Sequence, residues 1–536
     1  MNLLSARFIL FFLMAATFYF LFPVKKYQWT VLLIASCVFY AYAGPRYLGY
    51  VVFTTLSTYF LTLRIGGLQD YARRMIEENK QLWDKEQKKA FKQKTAKRAR
   101  RAMVFALVLN FGVLFVLKYL PTCFSAAGKL LRFSAPSWKL LLPLGISFYT
   151  FQSMGYVIDV YRGEVKAEKN LGKLALFVSF FPQLLQGPIS RYDQLAAQLY
   201  EPHRFDPKRL KYGLELILWG LFKKIVIANR AAIAIQTVTA APDSFAGATL
   251  FFAVVLYALQ VYADFSAGID IARAVAQILG IDMIQNFRQP YFARSLTEYW
   301  NRWHISLGAW MKNYVFYPIA LSKRANRFTR SVKASRFGGT KAGAHIAVVL
   351  PGTIASLIVF LLVGIWHGAG WRYIIYGLWN GGVIMLSILL KPCFESFNRR
   401  LHIDATTPEH HVFQMLRTFL LVCVGNLTDL VSGGQAFFRW LYRMVFDSRL
   451  YAALTEIAKK LGLSKSDYLL LILSALLLCI VGVIRERHPQ TPLRELLDRR
   501  PYITQWLVIV GCALAILIFG VYGPGYQMSD FVYMDF

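Results

Sequence analysis

Acidic residues are scarce in this chain. Its 536 residues hold 29 Asp and Glu against 61 Lys and Arg, a formal charge of +32. In a soluble protein such an excess points to nucleic acid. Here the basic residues lie between long apolar runs, so the positive-inside rule accounts for them and no nucleic acid is expected. Cysteine is also sparse. The six residues at 37, 123, 393, 423, 479 and 512 lie mostly within or beside apolar runs, with no CxxC or metal-ligand spacing. Neither a disulfide framework nor a metal site is expected. No Ser-His-Asp order, P-loop or paired-carboxylate site is present. Nor is there a fixed-period repeat, or a low-complexity linker long enough to separate soluble domains.

Apolar length, by contrast, is abundant. Hydrophobic residues make up 56% of the chain, against about 45–50% in soluble domains. They cluster in runs at 8–22, 30–44, 48–63, 102–120, 138–160, 212–228, 247–263, 346–366, 372–390, 413–430, 467–485 and 503–522. Many approach the ~20 residues needed to cross a hydrocarbon core, which predicts roughly ten to twelve spans. Shorter stretches at 172–187 and 268–280 are expected to be buried or re-entrant. The first run is not expected to be a cleaved leader, because no small-residue cleavage site follows it and Lys25 and Lys26 come directly after.

Two segments carry much of the charge. Residues 64–101 hold thirteen Lys/Arg and five Asp/Glu, and 323–341 hold seven Lys/Arg and no acid. Both are expected in the cytoplasm. Span counting then puts the N-terminus outside. Arg485, Arg487, Arg494, Arg499 and Arg500, before the last run, put the C-terminus outside as well. Residues 70–101 read either as an amphipathic helix lying on anionic lipid or as a solvated basic loop.

Three blocks are expected: N-terminal transmembrane helices with a basic cytoplasmic loop (1–135), a catalytic core (136–395), and C-terminal transmembrane helices ending in an extracytoplasmic tail (396–536). Most of the unusual polar residues fall in the middle block. Its segment 286–318, NFRQPYFARSLTEYWNRWHISLGAWMKNYVFYP, is a poor lipid-facing span and suits a buried, re-entrant or interfacial helical segment.

Two of the eight histidines stand apart. His367 lies in LLVGIWHGAGWRYIIYGLWNGG, between two apolar runs, where a titratable group needs a reason. Glycines 364, 368 and 370 leave room for close backbone approach or a substrate, and Trp366 and Trp371 would wall the site. His304 lies in EYWNRWHISLGAW. On a helix, Glu298, Arg294 and Arg302 would set its charge state, with Trp300 and Trp303 alongside. A histidine in an apolar cavity can act as general base toward a hydroxyl. A structural hydrogen-bonding role for His367, and an interfacial aromatic belt around His304, remain open on local grounds. Asp264, after a long apolar run, reads as a buried acid or a helix N-cap, and the cap-like role is the expectation.

Five ordered segments carry a family resemblance: LLPLGISFYTFQSMGYVIDVYRG (141–163), FPQLLQGPISRY (181–192), YADFSAGIDIARAVAQILGI (262–281), NFRQPYFARSLTEYWNRWHISLGAWMKNYVFYPI (286–319) and GIWHGAGWRYIIYGLWNG (364–381). Together they resemble the membrane-bound O-acyltransferase (MBOAT) family, in its bacterial branch of alginate O-acetylases and teichoic-acid D-alanyl transfer proteins. The resemblance implies an all-α polytopic membrane fold, a ring of helices around a central funnel and tunnel. It implies His367 as the catalytic residue and His304 as the second functional one. A thinned centre would bring the two to one passage.

The last six residues, FVYMDF, fit F-x-Y-x-x-F. This resembles the C-terminal motif of a small membrane partner in D-alanylation and implies Tyr533 as an acyl relay; an aromatic interface anchor is the other reading. A phenol has pKa about 10, so its ester is a better acyl donor than a sugar ester.

The resulting expectation is an enzyme of the bacterial plasma membrane with no bound cofactor. Its acyl donor would be a cytoplasmic thioester, acetyl-CoA or an acyl carrier protein. Its acceptor would be a surface polysaccharide or peptidoglycan, reached through an extracytoplasmic acyltransferase partner. Acetyl is the first choice of group. D-Alanyl transfer to teichoic acid is the alternative, and a lipid or sugar flippase is the alternative of another class.

Overall fold

Hydrophobic runs this long can satisfy their backbone groups in lipid only as helices or closed barrels. The computed structural model, which describes residues 5–132, 143, 145–368, 370–522 and 531, takes the first course. Every regular element among those residues is helical. In chain order the helices are α1 (Ala6–Leu21), α2 (Gln28–Ala43), α3 (Pro45–Glu78), α4 (Lys85–Leu131), α5 (Ile146–Arg162), α6 (Leu171–Ser179), α7 (Phe181–Gln186), α8 (Tyr192–Tyr200), α9 (Pro207–Leu221), α10 (Asn229–Ala240), α11 (Gly247–Ile278), α12 (Leu296–Arg302), α13 (Ile305–Met311), α14 (Tyr317–Ala320), α15 (Lys323–Lys333), α16 (Lys341–His367), α17 (Trp371–Leu389), α18 (Lys391–Arg400), α19 (Pro408–Leu430), α20 (Gly434–Phe446), α21 (Leu450–Lys459), α22 (Lys465–Arg487), α23 (Leu493–Asp498) and α24 (Tyr502–Phe519). They fall into two compact units, Met1–Gly213 with Ala272–Ile284, and Leu214–Ile271 with Gln285–Phe536.

In the first unit, α1, α2 and α7 meet through aromatic rings. Phe11 stands edge-on to Phe181, 5.3 Å between centroids, and Phe8 edge-on to Phe39 at 6.2 Å. The buried Gln28 amide ties α2 to the chain ahead of α9, donating to Tyr19 O (2.8 Å) and accepting from His203 N (2.8 Å).

The basic segment 64–101 is neither a loop nor a single helix lying on lipid. It forms the ends of α3 and α4, parted by a turn after Glu78. Pro45 starts α3 at a position where a missing N–H costs nothing. Asp84 starts α4 through a reciprocal capping box with Gln87. At 1.5 Å per residue, the 34 residues of α3 extend about 51 Å and the 47 of α4 about 70 Å. Both exceed a hydrocarbon core of about 30 Å, so the Lys/Arg-rich ends project beyond it.

Seven helices among the described residues are long and apolar enough to cross a membrane: α3, the Lys85–Ser125 part of α4, α11, α16, α17, α22 and α24. The runs alone predicted ten to twelve. The difference has physical causes. Runs 8–22 and 30–44 become helices of only 16 residues each. Run 212–228 is interrupted by a π-helical segment, Phe222–Ala228, that carries two lysines. Runs 247–263 and 268–280 belong mainly to one helix, α11, rather than to a span and a separate re-entrant stretch. Asp264 therefore lies in a helix interior and not at a cap.

Candidate functional site

The site is built within the second unit, from the part of α11 up to Ile271, the chain from Gln285 to α13, and the α16–α17 hairpin. The segment 286–318 resolves into short pieces: a 3₁₀ turn at Pro290–Phe292, α12, α13, a π-helical turn at Lys312–Phe316 and α14. Ser295 caps α12 by accepting from Glu298 N. The helix stops after Arg302 because His304 takes a left-handed backbone conformation, φ +46°, which is uncommon for a residue other than glycine. His304 thus sits in the bend between two helices, not on one.

Asn286 holds that bend. Its carbonyl oxygen accepts from Ile305 N (3.0 Å) and its side-chain oxygen from Ser306 N (2.8 Å). Its amide nitrogen lies 3.2 Å from His304 Nδ1. Asn286 is fully buried and His304 nearly so. Phe265 of α11 stands edge-on to the imidazole at 5.0 Å. The charges expected to govern His304 are drawn into another network. Arg302 Nη2 lies 2.8 Å from Glu298 Oε1, and Arg302 Nη1 lies 2.5 Å from Glu486 Oε1, tying α12 to α22.

His367 is the last residue of α16. Its ring lies 4.9 Å from Trp366 and 5.3 Å from Tyr376, and stacks at 6.4 Å over Tyr373. Trp366 also faces His304, at 6.1 Å. The two histidines therefore flank one buried indole. A cavity of about 380 Å³ opens at His304, walled by Trp300, Asn301, Leu307, Phe360 and Val363. His367 does not line it. Trp371, expected to wall the site, is 74% exposed. Gly364 does not leave room for a ligand, since a Cβ there would stand 2.2 Å from Tyr373 O. Tyr533 lies outside the described residues.

Two further features go beyond the residues read from the sequence, where only Asp264 had been noted. One is Asn286. The other is a pair of ion pairs: Lys223 Nζ lies 2.7 Å from Asp270 Oδ2, and Lys224 Nζ lies 2.5 Å from Asp264 Oδ1. The lysines were legible as two charges inside run 212–228. Buried charges in a membrane protein pair with one another or line a functional path, which directs attention to the acids of a neighbouring run.

A family model for the membrane-bound O-acyltransferase family matches residues 169–333. Over 412 residues the chain is 31% identical to a probable alginate O-acetylase AlgI of Azotobacter vinelandii, covering 76% of this chain and 70% of that one. It is 28% identical to a peptidoglycan O-acetyltransferase of Helicobacter pylori, over 71% and 67% of the two chains. It is 27% identical to a teichoic acid D-alanyltransferase of Bacillus subtilis, over 54% and 69%. With seven helices able to span a membrane among the described residues and this level of identity across most of its length, the chain belongs to the membrane-bound O-acyltransferase family and is a multi-pass O-acyltransferase.

Proposed function

We propose that this enzyme takes an acyl group, acetyl by first choice, from a cytoplasmic thioester such as acetyl-CoA or an acyl carrier protein and passes it on for O-acylation of a cell-surface polysaccharide or peptidoglycan. The observation that carries this reading is the pairing of His304 and His367 across Trp366, with an apolar cavity at His304. The chemical relatives act on alginate and on peptidoglycan. Basic α15 and the basic ends of α3 and α4 favour a cytoplasmic face for both, with the termini opposite.

In this mechanism a ring nitrogen of His367 accepts the proton of the incoming hydroxyl. The oxygen attacks the thioester carbonyl, and the tetrahedral intermediate collapses with cleavage of the C–S bond. The proton on His367 passes to the leaving sulfur. His304, lining the cavity, orients the thioester and stabilises charge on its oxygen. The first acceptor is the phenol of Tyr533, whose ester then acylates the polymer through an extracytoplasmic partner enzyme.

Mass spectrometry of the C-terminal peptide, purified from cells making the donor, tests this. An added acyl mass on Tyr533 is expected in wild type and absent in His367→Ala. Its value separates acetyl from D-alanyl, the second reading, which the similarity to a teichoic acid D-alanyltransferase favours. An unmodified wild-type peptide under turnover would remove Tyr533 from the path.

Asn286 gives a separate test. Removing a buried amide that orients a catalytic ring costs about 1–3 kcal/mol, which corresponds to roughly 5–150-fold in rate. Asn286→Ala is expected to lower kcat within that range while KM for the donor changes less than about threefold. Equal losses in kcat and in thermal stability would instead mark Asn286 as purely structural.

A further inference from the structure

Lys224 and Asp264 are each 1% exposed and lie in contact at 2.5 Å. Removing two charges from water is costly even when they pair, and inside a membrane protein such a pair marks function more often than stability. A third group completes the arrangement. The ring of Phe531 is fully buried and centred 4.7 Å from Lys224 Nζ, within reach of a cation–π interaction. Phe531 opens the C-terminal F-x-Y-x-x-F.

The chain ahead of Phe531 is tied to the same stretch of structure. Val521 N donates to Ile225 O at 2.9 Å. Asn229 Nδ2 donates to Val521 O at 3.2 Å. Arg230 Nη2 donates to Phe519 O at 2.7 Å, and its Nε lies 2.8 Å from Asp467 Oδ1. Ile225 belongs to the π-helical segment Phe222–Ala228, and single π-turns of this kind recur at functional sites. On α11, Asp264 directly precedes Phe265, the ring that stands edge-on to His304.

We propose that the buried Lys224–Asp264 pair is a dock for the C-terminal tail, on which the ring of Phe531 seats and from which the chain toward Tyr533 is tethered. Lys224, Asp264 and Phe531 are positioning residues in this scheme, and none of them touches the reacting atoms. The scheme deepens the proposed relay and rests on it for its purpose. Two residues of extended chain reach at most about 7 Å, so a fixed Phe531 strictly limits where the Tyr533 backbone can go. An unanchored tail would have to find the site by diffusion in each cycle.

The test uses full-length protein in detergent or nanodiscs and reads two quantities. Hydrogen–deuterium exchange follows the tail peptide, and mass spectrometry follows its acyl occupancy. Phe531→Ala leaves the ion pair intact and is the main variant. Its tail amides are expected to exchange at least tenfold faster than wild type, and acyl occupancy to fall at least tenfold, with KM for the thioester unchanged. Phe531→Tyr keeps a ring and is expected to restore both. The double variant Lys224→Met/Asp264→Leu removes both charges together, leaves neither one buried alone, and is expected to release the tail as Phe531→Ala does. Unchanged exchange in Phe531→Ala and in the double variant would overturn the dock. A tail that is protected in wild type and released in the variants, but never acylated, would support the dock while ending the relay reading.

Discussion

His367→Ala is expected to reduce acyl transfer by at least two orders of magnitude while leaving the protein folded. A positioned general base is worth about 10²–10⁴-fold, and His367 is the base in the proposed mechanism. Its place in the structure keeps the stability cost small. It is the terminal residue of α16, so its loss breaks no helix. Its ring meets Trp366, Tyr373 and Tyr376, which remain to close around the gap. The measurement is transfer of labelled acyl groups from thioester to acceptor in membranes of matched protein content, with a melting curve on the purified variant. His367→Gln should be as inactive as alanine, because an amide keeps polarity without accepting a proton at neutral pH. Activity above about a tenth of wild type in either variant, with an unchanged melting curve, would transfer the role of base to another group.

Gly364→Ala is expected to be nearly as damaging, for a different reason. Helices in lipid lack a hydrophobic drive toward one another and pack through small residues that let backbones approach. α16 and α17 are such a pair. A Cβ on Gly364 would stand 2.2 Å from Tyr373 O, and one on Gly377 would stand 2.7 Å from Phe360 O. Both obstacles are backbone atoms and cannot rotate aside. Overpacking of this kind costs about 1–3 kcal/mol and sometimes more. The displaced element would be α17, which carries both tyrosines around His367. Transfer is therefore expected to fall more than tenfold together with a lower melting temperature. Gly382→Ala, on the same helix with nothing within 4 Å of its Cβ position, should be silent on both counts. A Gly364→Ala protein as stable and active as the Gly382→Ala control would show that the hairpin has slack.

The sequence disclosed some of this and concealed the rest on physical grounds. Apolar runs and the asymmetry of lysine and arginine are one-dimensional signals, and the helical, membrane-spanning character followed from them directly. His367 stood out because a titratable group between two such runs is unusual. The meeting of His304 and His367 at Trp366 was not legible from local pattern, since it depends on contacts across 63 residues of chain. The left-handed backbone at His304 was equally hidden. Nothing in EYWNRWHISL interrupts a helical pattern, and the bend is imposed from outside by Asn286. Of the two readings of Asp264 the buried acid holds and the cap does not, because hydropathy averages along one helix while the carboxylate's partner is a lysine forty residues earlier. The π-helical segment at Phe222–Ala228 had no signal of its own beyond those two lysines.

The length of α3 and α4 has a practical consequence. A membrane protein whose mass lies wholly within a detergent belt offers little for particle images to align on. Here two joined helices of about 51 and 70 Å overrun a 30 Å core by roughly 20 and 40 Å. Such a spar breaks the pseudosymmetry of the belt and marks one face of every particle. It also provides a long helical epitope for an antibody fragment, remote in sequence from both histidines.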